Sequence, residues 1–422
     1  MDMNLYQIKK EKFKSLYFSI NYTMPAKAKE ITENTVLASI LSKTSQKWKT
    51  QEEIERYLSS LYGANFDVNV EKIGDLYNIE FRLECINKAY LPDQIDVVPD
   101  CVAFLEQIIY HPYLVDSKFD PMIVDREKAN ILNRIKQRKD DKVRYAISKT
   151  EEILTPGEPF GIYIYGEEDK ISPITPGDLY KRYLSVLYSS CITVIISGNI
   201  SGYDDMEQIL YQCFGNKLDS KIAYTDLVTD IRTAPVEVSE IQEVFETQDT
   251  TQSVITMGMH LQDASVHDFF AMQVYNAVLG ATPTSKLFQN FREKESLAYD
   301  VRSRYYRFKH IILIYAGIQK ENYDRAKTVL MQELSSIQQG NITEIEFKAA
   351  KENLISDLLE WDDSKIALEK MLITNLFFYK NNDMTLENMI EGIRAITVQD
   401  VVNVANRLNL ELVYLLGGEA NA

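Results

Sequence analysis

One ordered series of helix and strand signals occurs twice in this chain, and nothing else limits its possible folds as much. In the first half Thr50 and Glu53 form a capping box, Ile54, Leu58 and Leu61 recur at helical spacing, and Gly63 supplies a stop. The stretch "NFDVNV" then alternates Phe66, Val68 and Val70, and a turn around "KIGD" leads into "LYNIEFRL" with Tyr77, Ile79, Phe81 and Leu83 on one face. In the second half "SKLFQNFREKESL" reads as a helix, and "AYDVRSRYYRF" and "IILIYAGI" read as the two arms of a hairpin. Two further pairs keep the same order. "EKANIL" at 127–132 answers "AKENLI" at 350–355, and Ile-Thr-x-x-Asp opens a helix at Ile174, Thr175 and Asp178 and again at Ile396, Thr397 and Asp400. A strand follows each time, "CITVIISGN" and "LELVYLLGG", with Gly198 and Gly417 lying 23 and 20 residues after the threonine.

Conserved order over that distance indicates a duplicated unit rather than chance matches. The stretch from 216 to 240 has no sustained period and contains Pro235, which makes it a linker. The expected fold class is α+β: two homologous domains, 1–215 and 241–422, each a largely antiparallel sheet flanked by helices. With 45% hydrophobic residues the chain has enough apolar material for two cores without metals or disulfides.

Charge narrows the partners. Forty-six basic against 62 acidic residues give a formal charge of −16, which repels phosphate backbones and anionic membranes, and no basic stripe with interleaved aromatics offsets it. Nucleic acid and membrane are therefore not expected as partners. Cys85, Cys101, Cys191 and Cys213 are far apart and lack C-x-x-C spacing, as free thiols of a reduced compartment do. The first residues carry no apolar core of signal-peptide length, so the expected location is cytoplasmic.

Motifs for self-sufficient catalysis are missing. The four histidines, His111, His260, His267 and His310, include no His-x-x-x-His or His-x-x-His pair, and nucleophile-elbow, P-loop and dinucleotide fingerprints are absent. A hydrolase built from His260, His267 or His310 with carboxylates is a minor alternative, because a lone histidine is ordinarily a surface or satisfied core residue.

The duplication and the stretch "LGATPTSKLFQNFREKESLAYDV" resemble the insulinase/pitrilysin family of zinc metallopeptidases. Leu279, Gly280, Ser285, Leu287, Phe288, Arg292, Glu293, Lys294, Glu295, Leu297, Ala298 and Tyr299 fit that family's second-domain signature, with Phe291 in place of its usual leucine. The resemblance covers nearly the whole chain and is best to the bacterial branch of short paired subunits. It implies the fold of mitochondrial processing peptidase.

Active members carry His-x-x-Glu-His, two zinc ligands and a general base, on a helix of the first domain. Matching Ile-Leu-x-Lys of "TENTVLASILSKTSQKWKT" to the family's Met-Leu-x-Lys puts Thr35, Ala38 and Ser39 at those three positions. The family's third ligand lies in a helix resembling "REKANILNRIKQ", where Asn133 and Arg134 replace two glutamates. Alanine accepts no proton, and hydroxyls are poor zinc ligands beside imidazole. The resemblance therefore implies no metal and no cofactor on this chain, with zinc held by a partner subunit.

What survives is the arginine–tyrosine element. In the family these residues hold the peptide backbone and stabilise the oxyanion at a site formed with the other domain or subunit. Arg292 offers a fixed fork of charged donors and Tyr299 a neutral hydroxyl, both suited to carbonyl oxygen or developing negative charge. Gly280 and Ser285, in the small-residue loop, are the further substrate-binding candidates. The arginines and tyrosines of "RSRYYRF" are read as hairpin face. The expectation is a non-catalytic subunit, inactive alone, that lends Arg292 and Tyr299 in trans to a homologous zinc-bearing peptidase subunit acting on peptides. The alternative is a catalytically inert structural or binding subunit of the same fold, a homodimer when isolated or part of an assembly.

Overall fold

The computed structural model describes residues 3–227, 240–265, 268–378 and 385–417. In the first half, strands β1 (Asn4–Lys9) and β2 (Ser15–Pro25) precede helices α1 (Ala28–Leu41) and α2 (Gln51–Ser60) and the hairpin β3 (Asn65–Ile73) and β4 (Leu76–Ile86). Helices α3 (Pro121–Gln137), α4 (Lys142–Leu154) and α5 (Pro176–Ser189) lead to β5 (Cys191–Gly198). The second half gives β6 (Gln242–Thr247), β7 (Ser253–Leu261), β8 (Ala298–Tyr306), β9 (Ile311–Ile318), helices α6 (Glu344–Trp361), α7 (Lys365–Phe378) and α8 (Val398–Ala405), and β10 (Leu408–Gly417).

Each half builds a five-stranded sheet, ordered β1-β5-β2-β4-β3 and β8-β9-β7-β10-β6. The first and last strands of each half pair in parallel, and every other pairing within these sheets is antiparallel. The two orders are the same topology read from opposite edges, so the α+β duplication expected from sequence is present.

Side chains repeat as well. Lys128 Nζ donates to the carbonyls of Ser172 (2.9 Å) and Ile174 (2.8 Å), and Lys351 Nζ does the same to Arg394 (2.6 Å) and Ile396 (2.8 Å). In both units this lysine closes the turn before a threonine N-cap: Thr175 Oγ1 accepts from the Asp178 amide and Thr397 Oγ1 from the Asp400 amide. The Thr50–Glu53 capping box also forms, and Gly63 and Gly74 take the left-handed backbone that ends α2 and turns the hairpin.

The chain separates into two compact units that are not the two sequence halves. Unit 1 comprises 1–136, 162–228 and 364–380; unit 2 comprises 137–161, 229–363 and 381–422. Helix α4, from the first half, packs in unit 2, where Tyr145 donates to Glu246 at 2.7 Å and Thr150 bonds Thr256. Its counterpart α7, from the second half, packs in unit 1, where Lys365 contacts Ser15 and Glu84. Residues 228–239 of the expected linker lie outside the described residues, as does His267.

In unit 1 the central strand β2 is buried on both faces. Leu16, Phe18, Ile20, Tyr22 and Met24 belong to the apolar core. The alternate residues form a buried polar layer: Ser19 donates to Glu80 (3.0 Å), Asn21 to Ser19 (2.7 Å) and Thr23 to Asn78 (3.1 Å). Glu369 of α7 joins this layer fully buried, and burial together with neighbouring Glu80 pushes its carboxyl well above the usual range. All four cysteines are free thiols. Among the described residues, no helix is long and apolar enough to cross a membrane.

In unit 2, His310 sits fully buried at the β8–β9 turn with φ +48°, its Nδ1 2.8 Å from the Tyr305 hydroxyl and its Nε2 without a hydrogen-bond partner among the described residues. Burial pushes its pKa down to about 4. The unfolded chain therefore binds the proton first, and stability falls as pH drops through 6.5 toward 4. Between pH 7.5 and pH 5 this residue should remove about 2 kcal/mol of unfolding free energy. Urea melts of wild type and His310→Gln at both pH values check it: the variant should lose less on acidification.

Candidate functional site

Two places are candidates for a functional role, one in each unit. The first is the position where the resemblance expects zinc. Thr35 and Ala38 are 2% and 4% exposed on α1. Thr35 Oγ1 lies 2.8 Å from the Tyr77 hydroxyl and 3.0 Å from the Ile31 carbonyl one turn earlier, so it is engaged locally. Ser39 donates to Glu127 Oε2 at 2.8 Å, Lys43 Nζ reaches the same oxygen at 2.6 Å, and Asn130 Nδ2 reaches it at 3.1 Å. Arg126 Nε holds the other oxygen at 2.9 Å.

Helical spacing produces this cluster. Ser39 and Lys43 are four apart at the end of α1, while Glu127, Asn130 and Arg134 share one face of α3 at i, i+3 and i+7. Arg134 lies over the Tyr165 ring, 5.5 Å from its centroid. Glu127 is fully buried. Burial pushes its carboxyl up, but the bonds from Lys43, Asn130, Ser39 and Arg126 outweigh this and hold it below the usual range. Two cationic side chains, Lys43 and Arg126, thus hold the buried Glu127 carboxylate beside Ser39. Among the described residues no group of three His, Cys, Asp or Glu side chains is placed to hold a metal. Neither remaining described histidine forms a catalytic set: His260 pairs with Glu411 at 2.9 Å and His111 with Glu106 at 3.0 Å.

The second place is the arginine–tyrosine element. The helix expected over "SKLFQNFREKESL" is a π-helix over Leu287–Lys294, preceded by another over Ala277–Ala281. Such wide turns are rare and concentrate at functional sites. After Arg292 the chain turns through Ser296, at φ +52°, and enters β8. The pairing steps from Ala298↔Ile318 to Val301↔Ala316, so Tyr299 and Asp300 oppose the single residue Gly317 in a β-bulge. The bulge on this edge strand turns Tyr299 outward, 81% exposed. The Arg292 guanidinium stacks over the Phe288 ring at 4.5 Å and the Tyr299 ring at 5.2 Å, and pairs with Glu293 at 3.3 Å.

Gly280 and Ser285 lie in the scaffold behind this pair. A Cβ on Gly280 would sit 2.8 Å from the Ser303 amide nitrogen, so close packing of the first π-helix on β8 accounts for the glycine. Ser285 is 1% exposed, and its Oγ accepts from the Phe288 amide at 3.4 Å, capping the second π-helix. Arg292 and Tyr299 are brought together at the surface; Gly280 and Ser285 support them from within. Sequence reasoning missed Lys43 and Glu127 as the centre of the altered metal position. The same-face spacing of Glu127, Asn130 and Arg134 was the available signal.

Residues 173–354 match the family model described as the peptidase M16 inactive domain. The probable inactive metalloprotease YmfF of Bacillus subtilis (strain 168) is 24% identical over 416 residues, 98% of this chain and 96% of that protein. A solved conserved protein from Enterococcus faecalis V583 shares 26% identity and superposes with a TM-score of 0.86 over 99% of this chain and 97% of its own. The peptidase M16 inactive domain from Pseudomonas fluorescens, at 15% identity, shares the fold with a TM-score of 0.78 over 99% and 96% of the two chains. With this fold shared and no His-x-x-Glu-His in its sequence, the chain is M16-metallopeptidase-like and most resembles relatives described as inactive.

Proposed function

We propose that this chain is the non-catalytic subunit of a two-subunit zinc peptidase in the cytoplasm. It binds peptide and lends Arg292 and Tyr299 to an active site whose zinc belongs to a homologous partner. One observation carries this reading: the metal position is closed by Lys43 and Glu127, while Arg292 and Tyr299 are stacked together and exposed. A protein kept only as scaffold has no use for an outward-turned tyrosine in a bulge beside an arginine poised over its ring. The small packing residues Gly280 and Ser285 hold the two π-helical turns that present the pair.

The test mixes the purified chain with a zinc-bearing relative of similar length from the same cell and follows hydrolysis of an unstructured peptide. Activity should require both chains, and metal analysis should find stoichiometric zinc in the partner and not in this chain. A mixture no more active than the partner alone would leave the inert structural reading, and stoichiometric zinc in this chain would overturn the assignment directly.

A further inference from the structure

Arg302 and Arg304 were expected to be plain hairpin face, yet they set two guanidinium groups side by side on a chain of net charge −16. Both are exposed, while Val301 and Ser303 between and before them are buried. Strand alternation therefore places the two arginines on the same face of β8, roughly 7 Å apart along the strand. Tyr315 stands directly opposite Arg302 in the register, and Arg304 Nη1 reaches the Tyr306 hydroxyl at 3.5 Å. Two carboxylates are near: Asp300 pairs with Arg302 at 3.2 Å, and Glu151 acts on Arg304 and Tyr306. Arg304 itself forms no ion pair among the described residues. β8 is the edge strand of its sheet and the strand that carries Tyr299.

We propose that this face of β8 selects acidic peptides, with Arg302 and Arg304 each taking a carboxylate side chain from residues spaced two apart in an extended segment. The class follows from complementarity. An extended peptide lying along β8 presents every second side chain to the same face, at the spacing of the two arginines. Guanidinium forks suit carboxylates, and the flanking rings of Tyr306 and Tyr315 limit the arginines' freedom. On a chain of net charge −16 the two guanidinium groups supply the local attraction such a peptide needs. The inference rests on the peptide-binding reading above and names the substrate class for it.

The experiment measures fluorescence anisotropy of labelled ten-residue peptides against the full chain. The peptides differ at two positions only, carrying Glu-x-Glu, Gln-x-Gln or Lys-x-Lys. The Glu peptide should bind about tenfold or more tightly than the Gln peptide, and the Lys peptide most weakly. Arg302→Gln with Arg304→Gln should erase the ranking, and Arg302→Lys with Arg304→Lys should keep part of it. Equal affinity for Glu and Gln peptides, an unchanged ranking in the Gln variant, or no peptide binding at all would overturn the proposal. Hydrolysis of a neutral peptide by the mixed subunits is read separately. Failure there with the Glu ranking intact sinks the paired-subunit reading and leaves β8 as a binding face; the reverse result sinks only the acidic preference.

Discussion

Arg292→Ala combined with Tyr299→Phe should lower kcat of the proposed two-subunit peptidase by about 10²–10³-fold, the loss typical of removing an oxyanion donor. The effect belongs in kcat as well as kcat/KM, because a hydroxyl aimed at developing charge acts mainly on the transition state. Folding offers no competing explanation: Tyr299 is 81% exposed and its ring is held chiefly by the Arg292 guanidinium. Tyr299→Phe alone keeps that stacking and removes only the hydroxyl, so it separates proton donation from positioning. Wild-type rates in the double variant, with the complex intact, would remove both residues from the mechanism.

Glu127→Ala should be the most destabilising single change near the altered metal position. It leaves Lys43, 26% exposed at its side chain, and the donors Ser39 and Asn130 facing a hole where a fully buried carboxylate stood. Breaking a buried pair from one side costs about 3–5 kcal/mol, more than the pair contributes relative to an apolar replacement. Lys43→Met with Glu127→Leu should therefore recover much of the loss, which urea denaturation of wild type, Glu127→Ala and the double variant measures. The pH dependence has a definite sign. Glu127 is held below the usual carboxylate range, so its contribution is complete above the unfolded value and disappears as pH falls through the folded one. The gap between wild type and Glu127→Ala should narrow toward pH 3. A constant gap would mean that packing, not charge, sets the cost.

Much of this was legible in the residues. Capping boxes and alternating strands are local, and so Thr50–Glu53, Thr397–Asp400 and the "NFDVNV" hairpin appear where their patterns put them. Order along the chain was enough to show the duplication, because topology follows order. Three features were not legible, each for a tertiary reason. The π-helical turns around Gly280 and Arg292 have the composition of an ordinary helix and differ in hydrogen-bond offset, which local composition does not encode. The bulge at Tyr299 and Asp300 depends on what β9 offers opposite. The polar set Ser19, Asn21 and Thr23 is buried in a hydrogen-bonded layer that a helix more than three hundred residues away joins, a contact no local pattern encodes.

That distant helix has a consequence for how the protein is made. A ribosome releases the strands of unit 1 long before α7, at 365–378, has been synthesised, so the first unit waits for almost the entire polypeptide. Meanwhile α4 emerges early carrying Tyr145, Ala146 and Leu154, whose packing partners lie on strands not yet translated. Folding one domain at a time, the usual course for a chain of this size, is closed to it. A stop codon or a protease cut between the halves would yield two incomplete fragments, each holding the other's missing helix.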